Sequence, residues 1–201
     1  MYNLSIKIAN YLEKRGHLSD EDKEVVAYGL FFLVFNIYCF ALCVIVGLFF
    51  KLVLEPVVFF FSFLFIKKYA GGYHASKEWM CFVISSLGII ASIIIIHFSM
   101  VNVSFINICF DFSIISGVII CILSPLEAQN RPLDEIDAKK YKRLSFIRTL
   151  IILIIVIVLH YYKCYLLSAS IIAALIFEGS LIVVGYIQKR IRRIYKINTV
   201  L

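Results

Sequence analysis

Six apolar runs, at positions 25–50, 53–66, 80–100, 105–123, 150–162 and 165–187, are separated by polar segments. About 20 apolar residues suffice for a helix to cross a bilayer, so the pattern predicts an all-α, polytopic membrane protein of about six transmembrane helices. The second run is short and holds Glu55 and Pro56 near its start. The fifth reaches full length only from about Leu144, with Arg148 snorkelling at its end. Ahead of these runs, Leu4, Ile8, Tyr11 and Leu12 recur at helical spacing, with Lys7, Lys14 and Arg15 on other faces. Residues 1–18 are therefore expected to form an amphipathic interfacial helix on the inner leaflet. Gly16 would close it, and Ser19 before Asp20-Glu21-Asp22 reads as the N-cap and acidic first turn of the first span. No apolar core or small-residue cleavage site marks a signal peptide there.

Composition agrees with this reading: the chain has 201 residues, 62% hydrophobic and 16% charged, against about 45–50% apolar in a soluble domain. One integral membrane domain over 1–201 accounts for the length, and disorder, a secreted disulfide scaffold or a second soluble domain do not fit. The six cysteines, at 39, 43, 81, 109, 121 and 164, lie mostly alone in apolar runs and form no disulfide framework. The net charge of +7 first reports orientation rather than nucleic-acid binding, for which no stacking platform or groove-binding helix is visible. Of the 20 lysines and arginines, all but Lys51 and Lys163 fall in alternate segments: the N-terminal stretch, 67–79, 124–149 and the tail. Basic loops stay inside, so both termini and these two segments are expected to be cytoplasmic.

Candidate chemistry concentrates in 67–79. Lys67 and Lys68 precede Gly71-Gly72, a pair that lets a backbone turn sharply or approach a ligand closely, and His74 follows. Cys81 comes seven positions later, at the start of the third span. A Cys–His pair generates a nucleophilic thiolate, and a helix N-terminus favours an anion. On a continuous helix the two residues would stand about 10.5 Å apart, so contact between them requires a break, which the glycines can supply. By spacing alone, an ordinary loop histidine and a small core thiol fit the same positions. One His and one Cys are too few for a metal site, and no cofactor is called for. His97 and His160 read as interfacial residues at the outer ends of spans. Asp111 and Glu178 are carboxylates within spans, a costly placement that points to function or to a structural ion pair; Lys67, Lys68 and His74 are potential partners for Glu178. No Gly-x-Ser-x-Gly, His-Glu-x-x-His or P-loop pattern occurs.

The string Lys68-Tyr69-Ala70-Gly71-Gly72-Tyr73-His74-Ala75, Cys81 after it, and Pro125 followed by Asn130-Arg131-Pro132-Leu133 resemble the AgrB family of accessory gene regulator proteins over essentially the whole chain. The resemblance implies a membrane cysteine endopeptidase of quorum sensing that cuts a short pro-peptide, AgrD, and promotes its cyclisation. Carried over by position, Cys81 is the nucleophile, His74 the general base and later acid, and Gly72 shapes the loop. The resemblance also implies a homodimer. Family members commonly carry an arginine before the glycines; here Lys67 and Lys68 keep the charge without the planar fork. From another class, a non-proteolytic peptide exporter or scaffold would use Asp111 and Glu178 along a polar path.

Overall fold

The structure is a computed structural model that describes residues 2–14, 23–73, 78–126 and 134–198. The proposed cap at Ser19, the closure at Gly16, His74 and the 130–133 motif lie outside the described residues. Among the described residues seven helices follow one another: α1 (Tyr2–Lys14), α2 (Lys23–Phe49), α3 (Leu54–Ala70), α4 (Glu78–Val101), α5 (Val103–Leu123), α6 (Glu135–Tyr161) and α7 (Tyr165–Asn198). Each apolar run of the sequence is one helix, and α1 is a separate short helix before them. Five, namely α2, α4, α5, α6 and α7, are long and apolar enough to cross a bilayer. The chain is a multi-pass, all-α membrane protein. The short second run becomes α3, whose 17 residues rise about 25 Å, at the lower limit for a span.

In lipid, burying apolar surface between helices gains little, so close packing of small residues and polar contacts hold a bundle together. The centre is therefore the helix with the most small side chains. Along α7, Ser168, Ala169, Ser170, Ala173 and Ala174 are buried, together with Ile171, Ile172 and Leu175. In its most apolar stretch 67% of residues are buried, against 11% for α2. Helices α3, α4, α5 and α6 all pack on α7. Gly88 of α4 sits under the Phe177 ring so closely that a Cβ would overlap it, and a Cβ at Gly179 would come within 2.8 Å of Ser116 Cβ on α5. Helix α1 packs on α2, with Lys23 Nζ 2.7 Å from Glu13 Oε2.

Helix α6 starts earlier than the apolar pattern suggests. The segment 124–149 reads as a polar loop, yet its second half is helical from Glu135. Ser145, Thr149, Ile152 and Val156 are its buried positions, one stripe at helical spacing, while most of its charged side chains face outward. Charges spread along an exposed helical face look like a loop to a hydropathy scan. One of them faces in: Lys142 Nζ donates to the carbonyls of Cys121 (2.9 Å), Ile122 (2.7 Å) and Ser124 (2.7 Å), satisfying orphan acceptors at the end of α5. Nearby, the hydroxyls of Ser124 and Ser145 share a 2.8 Å hydrogen bond.

Candidate functional site

The short α3 ends at Ala70, and the chain turns there against two other elements. Gly71 has φ 79° and ψ −130°, a region essentially reserved for glycine. Its N–H donates to Lys67 O at 3.1 Å, while Leu126 N donates to Ala70 O at 2.9 Å. A Cβ on Gly71 would collide with the Leu126 carbonyl oxygen, so neither the conformation nor the space admits a side chain. Gly72, at φ 131°, shares the conformation that favours glycine but not the crowding: a Cβ there would lie 3.5 Å from Glu178 Oε1, 3.7 Å from Leu181 Cβ and 3.9 Å from Lys67 Nζ, ordinary contact distances. A Cβ on Gly185 would come 3.1 Å from Tyr73 N and 3.3 Å from Gly72 C. The backbone of 71–73 thus lies along one stripe of α7, formed by Glu178, Leu181 and Gly185 at spacings of three and four residues.

Two charged residues meet at this turn. Glu178 has no solvent exposure, and neither carboxylate oxygen has a hydrogen-bond partner among the described residues. Lys67 extends from the last turn of α3, its Nζ 4.8 Å from the Phe63 ring centroid, and that ring packs 5.0 Å from Phe177. Lys68 points elsewhere, over Tyr69 at 5.7 Å. The structure therefore brings Lys67, Gly71, Gly72 and Glu178 together and leaves Lys68 outside. Both lysines belong to helix α3 rather than to the loop expected over 67–79.

Cys81 is half-buried in the first turn of α4. Gly88, seven residues on along the same helical face, packs under Phe177 of α7. Cys81 stands seven residues before Gly88, toward the start of α4. His74, which follows Tyr73 in the chain, is outside the described residues. All six cysteines are free thiols, and among the described residues no cluster of three His, Cys, Asp or Glu side chains could hold a metal.

The other candidates lie apart. Asp111 is exposed on the outside of α5, and Glu178 has no accessible surface, so the two do not line a common polar path. His97 and His160 sit at the far end of the bundle, His97 5.3 Å from Phe50 and His160 stacked on Phe110 at 4.3 Å. Arg148, read from the sequence as a snorkelling end residue, instead donates from Nη1 to Phe65 O at 2.8 Å and covers the Phe65 and Tyr69 rings at 4.4 and 4.2 Å. It braces the last turns of α3 from α6, a role that spacing in the sequence does not reveal.

No solved structure matches the chain significantly. In sequence, it is 26% identical over 178 residues to a putative AgrB-like protein of Clostridium perfringens, covering 85% of this chain and 81% of that one. With a putative AgrB-like protein of Listeria innocua it shares 29% identity over 158 residues, 74% and 73% of the two chains. With accessory gene regulator protein B of Staphylococcus aureus (strain N315) it shares 24% over 172 residues, 84% and 89% of the two. The family model for accessory gene regulator B matches residues 5–184. The chain belongs to the accessory gene regulator B family.

Proposed function

We propose that this protein is a membrane cysteine endopeptidase of quorum sensing, a single membrane domain that cuts an AgrD-like pro-peptide and passes its acyl group on to form a cyclic signal. Cys81 is the nucleophile and His74 its general base and acid. The observation that carries this reading is the Gly71–Tyr73 turn, seated on α7 at Glu178, Leu181 and Gly185. The turn ends at the residue before His74, and α4 carries Cys81 in its first turn. Gly71 and Gly72 shape the turn, Lys67 and Glu178 line it, and Lys68 belongs to the basic rim that a pro-peptide meets first.

In this mechanism His74 takes the Cys81 proton and the thiolate attacks the scissile carbonyl carbon. The C–N bond breaks, the leaving amine takes the proton from the imidazolium, and the C-terminal tail departs, leaving a thioester on Cys81. A thiol or hydroxyl within the substrate then gives its proton to His74, attacks the thioester carbon and closes a thiolactone or lactone, and the Cys81 thiolate leaves. The thioester retains acyl reactivity, so ring closure consumes no nucleotide. Water must be excluded, because hydrolysis would give a linear product. A cytoplasmic active site follows from the distribution of Lys and Arg. An amphipathic substrate helix lying on that leaflet would reach it directly.

The test is mass spectrometry of the purified protein in lipid with the neighbouring pro-peptide, comparing wild type with Cys81→Ala and His74→Ala. Wild type is expected to release the C-terminal tail and to carry an acyl adduct on Cys81, and both variants to fall to background. Equal cutting by Cys81→Ala would overturn the assignment of the nucleophile.

A further inference from the structure

Where α3 ends, two cations share one aromatic ring. The Arg148 guanidinium of α6 lies 4.2 Å from the Tyr69 ring centroid, and Lys68 Nζ lies 5.7 Å from the same centroid. Like charges gathered at the margin of a membrane repel, and a ring face offsets that only in part. Among the described residues neither cation forms a salt bridge. Arg148 uses Nη1 to reach Phe65 O at 2.8 Å, which leaves most of its five N–H donors, and Lys68 is exposed. An anion held beside Tyr69 would answer both charges.

The adjoining surface indicates what carries that anion. Tyr69 meets Tyr141 at 5.3 Å and, one turn earlier in α3, Phe65 meets Arg148, so α3 and α6 pack antiparallel. From this level toward the middle of the bundle, both helices present bare apolar side chains. Phe65 is 37% and Phe61 59% exposed on α3; Ile151 and Ile155, on the helical stripe that starts at Arg148, are 42% and 39% exposed on α6. A soluble anion would leave this apolar surface unused, whereas a phospholipid has an anionic group at one end and hydrocarbon below it. We propose that Lys68 and Arg148 bind the phosphate of an anionic phospholipid whose acyl chain lies along Phe61, Phe65, Ile151 and Ile155. Basic sites between helices at a bilayer surface recognise such headgroups. The guanidinium offers a planar pair of donors to two phosphate oxygens, Lys68 adds a point charge, and Tyr69 holds the two cations together. The proposal goes beyond the peptidase reading, in which Arg148 has no part.

The test is native mass spectrometry of the delipidated full-length protein, titrated with dioleoylphosphatidylglycerol or dioleoylphosphatidylcholine, to obtain the dissociation constant of the first lipid bound. Wild type is expected to bind phosphatidylglycerol about tenfold more tightly. Lys68→Gln and Arg148→Gln should each cut that preference about fivefold, the contribution of one basic side chain near a membrane surface. Lys68 makes only a ring contact, so Lys68→Gln carries the test even if Arg148→Gln does not fold. Arg143→Gln removes another exposed charge of α6, about 140° round the helix from Arg148, and should leave the preference intact. Equal affinity of wild type for the two lipids overturns the proposal, as does an equal loss in Arg143→Gln, which would report net charge and not a site. sn-Glycerol 3-phosphate binding as tightly as phosphatidylglycerol would make the ligand a soluble anion and overturn it too. A preference that survives in Lys68→Gln also overturns it, and if that variant instead loses affinity for the neighbouring pro-peptide, the cation pair belongs to substrate binding.

Discussion

Both ends of the bundle hold ring contacts, such as Tyr69 on Tyr141 at 5.3 Å near the candidate site, but they differ in the contacts added to them. At the end that carries the candidate site, backbone meets backbone and side chain meets carbonyl. Gly71 bridges Leu126, Lys142 reaches two carbonyls of α5 and that of Ser124 just after it, and Arg148 reaches Phe65 O. At the opposite end, rings meet rings: His160 lies between Phe110 and Tyr165, and Phe98 packs on Phe105 at 6.4 Å. Backbone approach has no adjustable atoms, whereas ring contacts tolerate exchange at similar volume. The site is therefore built from the less forgiving kind of contact, as a precisely held turn requires.

The sharpest way to break this contrast is at Gly71. Gly71→Ala adds strain of about 1–3 kcal/mol for the backbone region alone, and the collision with the Leu126 carbonyl adds to it. We expect a marked fall in folded, detergent-extractable protein and in its melting temperature. Gly72→Ala, which meets only side-chain atoms at 3.5 Å or more, should be clearly milder in the same assay. Equal losses would mean that the turn is limited by φ alone and not by close approach to Leu126.

The middle effect belongs to Lys142→Met. It leaves three carbonyls at the end of α5 without their shared donor, at about 1.5 kcal/mol, the low end for hydrogen bonds to a charged group, since Lys142 is only half-buried. A thermal melt in detergent should register this loss, and hydrogen exchange should rise in the last turn of α5. The smallest effect is expected from His160→Phe at the aromatic end. The stack on Phe110 is kept and an unpartnered buried nitrogen is removed, so stability should change by less than about 0.5 kcal/mol. A large loss there would show that the aromatic end is as exacting as the site end.

Much of the architecture is legible in the sequence because hydropathy is a local property: each apolar run becomes a helix, within a few residues at most ends. The exceptions have physical causes. Residues 135–143 of α6 carry most of their charges on an exposed face, so the helix hides in a polar stretch. Lys67 and Lys68 look alike in sequence, but a helix turns 100° per residue, and only Lys67 comes round to the site. Asp111 and Glu178 look equally anomalous within apolar runs, yet one faces outward and the other is sealed against Gly72.

The sequence by itself determined the class of protein, the number and order of its helices and, through Gly71-Gly72 with His74 and Cys81, where to look for chemistry. Only the tertiary structure decided that α7 is the central helix, that Arg148 and Lys142 brace the end bearing the site, and that Glu178 and Gly185 form the track on which the glycine turn lies. Periodicity records which face of a helix is apolar or small. Which faces meet depends on helix lengths and on close contacts between residues more than a hundred positions apart, such as Gly72 and Glu178, and no local pattern encodes these.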